Sequence, residues 1–292
     1  MAKMTDYDAA LKHRYRVEPG GEYVPGVTTV LNIIEKPGLK WGASKVAAEF
    51  CVANSRRRKS LATKHRATLA SARGATDSAE KKRLLAANGT DDEVFIHLAR
   101  GEFDRQWKAK ADRGTRVHNH AEAWARGNVV SVLDDERGYM DALGTFFDLY
   151  EPRFEMVECL VLNAEYRYGG RFDAIMTINN VPGDERDRVR VLGDWKTGDP
   201  WPLDVALQTV AYTRSQLASY DMDGRLVGFD PLPSLDGCRV VYLQQSGTVK
   251  VVDPFEKVPQ DQAWDAFLAA RRLYEVHQRI TDSIDNQKGS EA

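Results

Sequence analysis

YGGRFDAIMTINNVPGDERDRVRVLGDWK, residues 168–196, holds two runs rich in β-branched and aromatic residues on either side of a polar stretch containing Pro182 and Gly183. Runs of this kind favour strands, and NNVPGDERD between them suits a hairpin connection. Residues 157–164 have the same character. The simplest interpretation is a three-stranded antiparallel meander over 157–164, 168–178 and 188–196.

Downstream, the pattern predicts a helix over 203–219, a loop rich in Gly, Pro and Asp, strands near 238–244 and 248–252, and an amphipathic helix over 260–279. The last residues, TDSIDNQKGSEA (281–292), have the composition of a frayed polar tail. Upstream, EYVPGVTTVLNII forms an extended start with a turn at Pro25-Gly26, followed by helices over 40–54, 60–72 and 78–87 with breaks at Gly74 and Gly89. Two more helices are expected over 114–126 and 134–150, the latter ended by Pro152. The expected architecture is α/β: a mostly helical N-terminal extension (1–110), a core (111–280) and a polar tail (281–292), forming one compact unit.

The 292 residues are 42% hydrophobic and 29% charged, enough for a large packed core. No run reaches the roughly 18 apolar residues of a membrane span, and MAKMTDYDAALKHR lacks the apolar centre of a secretory signal, so a soluble cytoplasmic protein is expected. Cys51, Cys159 and Cys238 are too scattered for a zinc knuckle or an iron–sulfur site and are expected to be buried free thiols. Although the formal net charge is −2, Arg56 to Arg83 contains ten Lys and Arg against Asp77 and Glu80 alone, a local excess of eight. Such a segment is either a solvated helix face or a phosphate-tracking arm, led by Arg56, Arg57, Arg58 and Lys59.

The chemistry centres on GRFDAI and GDWKTG. Side chains alternate across a strand, so Asp194 and Lys196 share one face while Val191, Gly193 and Trp195 take the other. In the neighbouring strand Phe172, Ala174, Met176 and Ile178 can pack inward and leave Asp173 opposite. Two carboxylates and an ammonium then meet. Carboxylate oxygens suit a hard divalent cation that polarises a phosphodiester and activates water, and a compact ammonium suits the developing charge. A strand-end ion pair would account for Asp-x-Lys taken alone; the ordered residues around it point further. On the helix RGTRVHNHAEAW, His118 and Glu122 are four apart and share a face, whereas His120 points elsewhere and is expected at the surface. In QTVAY, Gln208 and Tyr212 are again four apart, an ordinary pair in a packed helix that beside a phosphate site could bind the scissile or a neighbouring phosphate. Trp41, Phe50, Trp107 and Trp124 could offer stacking surfaces, but helical aromatics are usually core, and they are assigned no site.

The order Gly114-Thr115…His118, Gly170…Asp173, Asp194…Lys196, Gln208…Tyr212 resembles the signature of the RecB-like branch of the PD-(D/E)xK nucleases. The resemblance implies a restriction-endonuclease-like core in which His118, Asp173 and Asp194, helped by the Trp195 backbone carbonyl, hold one or two Mg2+ or Mn2+ ions. Lys196 would be the catalytic lysine, Gln208 and Tyr212 would position substrate, Glu122 would support His118, and Glu165 is a lesser metal-ligand candidate. Phe172 stands where the family name has proline. The opening VPGVTTVLNIIEKPGLKWGASK is similar to the N-terminal segment of phage-encoded exonucleases of this branch. The cysteine set of its iron–sulfur members is missing, which excludes that cluster, and the chain has no Walker A pattern, so helicase activity would come from a partner.

The expected function is a Mg2+- or Mn2+-dependent deoxyribonuclease, an exonuclease acting on DNA ends or single strands in phage-type recombination, replication or repair, with DNA and a recombination, helicase or single-strand-binding protein as partners. A structure-specific endonuclease and a catalytically silent DNA-binding or assembly protein are the alternatives.

Overall fold

From the N terminus the chain forms α1 (Asp6–Leu11), β1 (Tyr15–Arg16), β2 (Tyr23–Val24), α2 (Val27–Leu31), α3 (Pro37–Asn54), a 3-10 turn (Ser55–Arg57), α4 (Arg58–Ala70), α5 (Asp77–Asn88), α6 (Asp91–Arg100), α7 (Glu102–Ala125) and α8 (Arg137–Tyr150). There follow β3 (Arg153–Asn163), β4 (Tyr168–Asn179), β5 (Arg188–Thr197), α9 (Pro202–Thr213), β6 (Gln216–Tyr220), β7 (Leu226–Pro231), β8 (Gly237–Leu243), β9 (Val249–Val252) and α10 (Gln260–Ser290). This computed structural model describes residues 4–74, 76–184, 186–198 and 202–290. Residue 185 of the expected hairpin connection lies outside them.

Two compact units divide the chain: Met1–Glu35 with Gly114–Ala292, and Lys36–Arg113. The helical part is therefore an insertion rather than an N-terminal extension over 1–110. The boundary moves because the opening residues carry their own apolar cargo: Val27, Val30 and Leu31 of α2 are buried in the same core as β4 and β5. Backbone pairing fixes them there, with the Gly169 N–H donating to the Pro25 carbonyl at 3.0 Å.

In the first unit a seven-stranded mixed sheet runs β7-β6-β3-β4-β5-β8-β9. The meander β3-β4-β5 is antiparallel. After α9 and the β6–β7 hairpin, β8 joins β5 in parallel, and every other pairing is antiparallel. Helices cover both faces. Phe172, Ile175 and Leu192 pack with α2, α9 and α10 on one side. Met176, Ile178, Val191 and Trp195 pack with Val117 and Ala121 of α7 and with α8 on the other. The single inward face expected for Phe172, Ala174, Met176 and Ile178 is thus split, because the period-two alternation breaks between Phe172 and Met176 and helices cover both faces.

Other expectations also shift. The helix expected over 203–219 ends at Thr213, and the loop after it contains β6 and β7, paired through a turn at Asp221–Gly224. Gly, Pro and Asp masked these strands; pairing of Val161 and Leu162 with Leu217 and Gln216 supplies what their composition does not. The helix expected over 114–126 begins at Glu102 and passes through Gly114. The expected polar tail continues α10 through Ser290, with no Pro to interrupt it; residues 291 and 292 lie outside the described set.

The inserted unit packs α4 against α5 and α6 around Ala62, Leu69 and Val94, with Leu85 and Ala86 at the margin. Thr90 and Glu93 form a capping box that starts α6. Arg66 ties the end of α5 to that start, donating to the Gly89 carbonyl at 2.7 Å and to Asp91 at 2.8 Å. Among the described residues no helix is long and apolar enough to cross a membrane. The three cysteines are free: Cys238 is buried, and burial pushes its thiol up to about 12, whereas Cys51 and Cys159 are half-buried rather than buried.

Candidate active site

The site forms where two strands part. The β4–β5 ladder runs from Asn179↔Arg188 to Ala174↔Gly193 and stops, while β5 continues against β8 to Thr197. Beyond that point the Trp195 N–H lacks a strand partner on the β4 side and donates instead to Asp173 Oδ2 at 2.8 Å. A carboxylate thus occupies the place of a ladder carbonyl, at a buried donor that would otherwise be costly to leave unpaired.

Local geometry turns Asp173 that way. Glu158, across from it on β3, has φ 56°, a left-handed conformation that is costly for a residue with a Cβ. The alternation of side chains breaks at this level. Met156, Cys159 and Val161 of β3 belong to one core cluster, as do Phe172 and Ile175 of β4, although strict alternation would separate them.

Asp194 and Lys196 share the α9 face of β5. The Lys196 ammonium donates to Asp194 Oδ1 at 2.8 Å and to Gln208 Oε1 at 3.3 Å; the Gln208 amide donates to the Tyr212 hydroxyl at 3.0 Å. Asp194 is only 2% exposed. Its Oδ2 lies 2.6 Å from the same ammonium yet outside hydrogen-bonding geometry, which leaves a buried oxygen without a hydrogen bond. Burial pushes the Asp194 carboxyl up, and the charge of Asp173 adds to this against the pull of Lys196. Burial disfavours the lysine's charge, but Asp194 and Asp173 outweigh it and hold the ammonium above its ordinary value. The proton stays on lysine.

His118, on α7, places Nδ1 3.5 Å from Asp173 Oδ2, too far for a strong hydrogen bond. Glu122, one turn on, is engaged by Arg126 at 3.0 Å. Trp195 turns its indole away from the site into the opposite core, edge-on to Phe146 at 5.3 Å. Glu165 is not brought here. It is exposed in the β3–β4 turn, and β4 runs on from its start at Tyr168 for roughly 16 Å of strand before it reaches Asp173. Arg56, Arg57, Arg58 and Lys59 lie in the other unit, all exposed; Arg58 pairs with Asp92 at 2.9 Å, and the other three have no ion pair among the described residues.

His120 is a correction. It is half-buried, with Nε2 3.0 Å from Glu136 Oε2, because the loop before α8 folds a buried carboxylate against α7. Burial opposes the Glu136 charge, but Arg116, the Leu133 N–H and His120 together hold its carboxyl down at about 2.

Sequence reasoning missed Glu158. Burial raises its carboxyl to about 7, the charge of Asp173 adds to the rise, and an ion pair with Arg171 at 2.8 Å works against it. The available signal was a lone carboxylate inside the apolar run VECLVL.

The glycines of the motifs have steric reasons. A Cβ on Gly170 would lie 2.4 Å from Tyr212 Cε1 and 3.4 Å from Val27 Cγ2, and one on Gly114 would lie 2.9 Å from Thr197 Oγ1. Gly170→Ala is therefore expected to displace the Tyr212 ring and cost about 1–3 kcal/mol of stability, read as a lower urea midpoint. An unchanged midpoint would remove close approach as the reason for glycine.

Among the described residues no group of three or more His, Cys, Asp or Glu side chains is placed to hold a metal ion. The donor set nevertheless suits a hard cation. Mg2+ is usually held by one or two carboxylates, with water and substrate phosphate completing its shell, and Asp194 Oδ2 is a buried oxygen without a hydrogen bond. No protein-family model matches the chain, and no curated protein matches its sequence.

Proposed function

We propose that this chain is a metal-dependent deoxyribonuclease of the RecB-like PD-(D/E)xK type, acting as an exonuclease on DNA ends or single strands. The observation that carries the reading is the Asp173, Asp194, Lys196, Gln208 and Tyr212 constellation gathered where β4 leaves β5. The meander, helix and parallel strand β3-β4-β5-α9-β8 support a restriction-endonuclease-like core, and the order from His118 to Tyr212 supports the RecB-like assignment.

Asp173 and Asp194 would hold Mg2+ or Mn2+, with His118 and the Trp195 carbonyl as further donors. Bound there, the cation supplies Lewis-acid activation of the phosphodiester and a lowered pKa for an attacking water. Lys196, kept protonated by its carboxylate neighbours, stabilises charge that develops on the phosphoryl oxygens. Gln208 fixes the reach of that ammonium and, with Tyr212, orients the phosphate. The inserted unit supplies the charge DNA requires. It carries 18 Lys and Arg against 9 Asp and Glu, a net +9, which leaves −11 for the rest of the chain.

Incubation of linear DNA labelled at either end, single- and double-stranded, beside a covalently closed circle, tests the reading. Expected is Mg2+-dependent release of nucleotides from linear DNA, an untouched circle, and no cleavage with chelator. A cut circle would replace the exonuclease by an endonuclease. DNA binding without cleavage in any metal would leave a silent binding protein on this scaffold.

A further inference from the structure

Two indoles of the inserted unit stand in water. Trp41, on α3, is 81% exposed and Trp107, on α7, is 53% exposed, although helical aromatics are expected in the core. They flank a contact between α3 and α7. Trp107 stacks on Phe103 with ring centroids 5.7 Å apart and an interplanar angle of 25°. Phe103 in turn packs beside Trp41's neighbour, where a Cβ on Gly42 would meet Phe103 Cε2 at 3.4 Å.

Each indole has a lysine on its own helix face: Lys45 four residues after Trp41, and Lys110 three residues after Trp107. Lys45 makes only a long, exposed contact with Glu49 at 3.8 Å, and Lys110 has no ion pair among the described residues. Arg56, Arg57, Lys59, Lys64, Arg73, Lys81, Lys82 and Arg83 are exposed and have none either. A binding surface that combines free cations with exposed aromatic faces matches a polyanion whose own aromatic rings are accessible. Duplex DNA satisfies the first condition and hides its bases; a single strand satisfies both.

We infer that the inserted unit binds single-stranded DNA, with Trp41 and Trp107 stacking on unpaired bases while the unit's exposed lysines and arginines hold the phosphates. The choice of DNA rests on the nuclease reading; the preference for a single strand rests on the indoles.

The test uses the full chain in EDTA, so that nothing is cleaved, with fluorescently labelled oligo(dT) of 20 nucleotides and a blunt hairpin duplex of the same size. Stacking is worth roughly 5- to 150-fold per base. W41A/W107A is therefore expected to weaken oligo(dT) binding by about 10²-fold or more, to leave duplex binding within about twofold, and to leave the salt dependence unchanged. W41F/W107F, which keeps an aromatic face, should recover most of the loss. R56A/R57A/K59A should weaken both ligands and flatten the salt dependence, the log–log slope on the single strand falling by about 0.7 for each phosphate that is no longer neutralised.

Unaltered oligo(dT) affinity in W41A/W107A, an equal loss on both ligands, or no recovery with phenylalanine would overturn the inference. The two readings separate in a parallel Mg2+ assay. Tryptophan-dependent binding without cleavage would sink the nuclease and leave this module, whereas cleavage with tryptophan-independent binding would do the reverse.

Discussion

Lys196→Ala is expected to lower DNA cleavage by about 10²- to 10³-fold, and Asp194→Ala by at least as much, with DNA binding largely retained. The size follows from the loss of a pre-placed charge in a half-buried site, where one donor alone contributes about 10²- to 10³-fold. Full activity in both variants would sink the site assignment. Lys196→Met, which keeps the bulk, adds a second readout. It leaves the Asp194 carboxylate buried without its counter-charge, a loss of about 3–5 kcal/mol at neutral pH.

That loss has a definite pH sign. Without lysine, burial and Asp173 raise the folded-state pKa of Asp194 above its unfolded value, about 3.9. Protonated Asp194 is then tolerated below the unfolded pKa, and stability falls as pH rises through the raised folded value. Urea midpoints of Lys196→Met should drop between pH 5 and pH 8 more than those of the unaltered chain. Adding Asp194→Asn should abolish the extra drop, and an identical pH response in all three would show that Asp194 is not the group involved.

Trp195→Ala is expected to destabilise the first unit by about 3–5 kcal/mol, the usual range for a fully buried aromatic. The indole is 2% exposed, edge-on to Phe146 and near Phe154 at 6.4 Å, so a cavity opens between β5 and α8. Trp195→Phe keeps part of that packing and should lose less. Near-ultraviolet circular dichroism against urea, which follows aromatic packing, separates the two. Equal midpoints for both variants would mean that the pocket collapses around either side chain.

Much of the site could be read from residues 114–212 because its chemistry and spacing are local. Asp194 and Lys196 meet through the period-two geometry of one strand, and Gln208 and Tyr212 through one helical turn. What was hidden depends on partners distant in sequence. Nothing in QLASY or LVGFDP identifies a hairpin until β3 offers an edge to pair with. Composition alone did not reveal that α2 belongs with the sheet, which divided a supposed extension into an opening segment and an insertion. The exposure of Trp41 and Trp107 was concealed by a sound generalisation: helical aromatics are usually buried, and a small helical unit with a core as modest as Ala62, Leu69 and Val94 cannot bury them all. Glu158 escaped for a related reason, since its position follows from a backbone kink that no spacing announces.

The hydrogen bond from the Trp195 amide to Asp173 has one more consequence. Because a side chain rather than a neighbouring strand protects this amide, its exchange with solvent deuterium follows the state of one carboxylate. Whatever draws Asp173 Oδ2 away unlatches that single backbone position while the rest of β5 stays locked against β8. In the proposed metal-dependent enzyme this one amide would report occupancy without turnover.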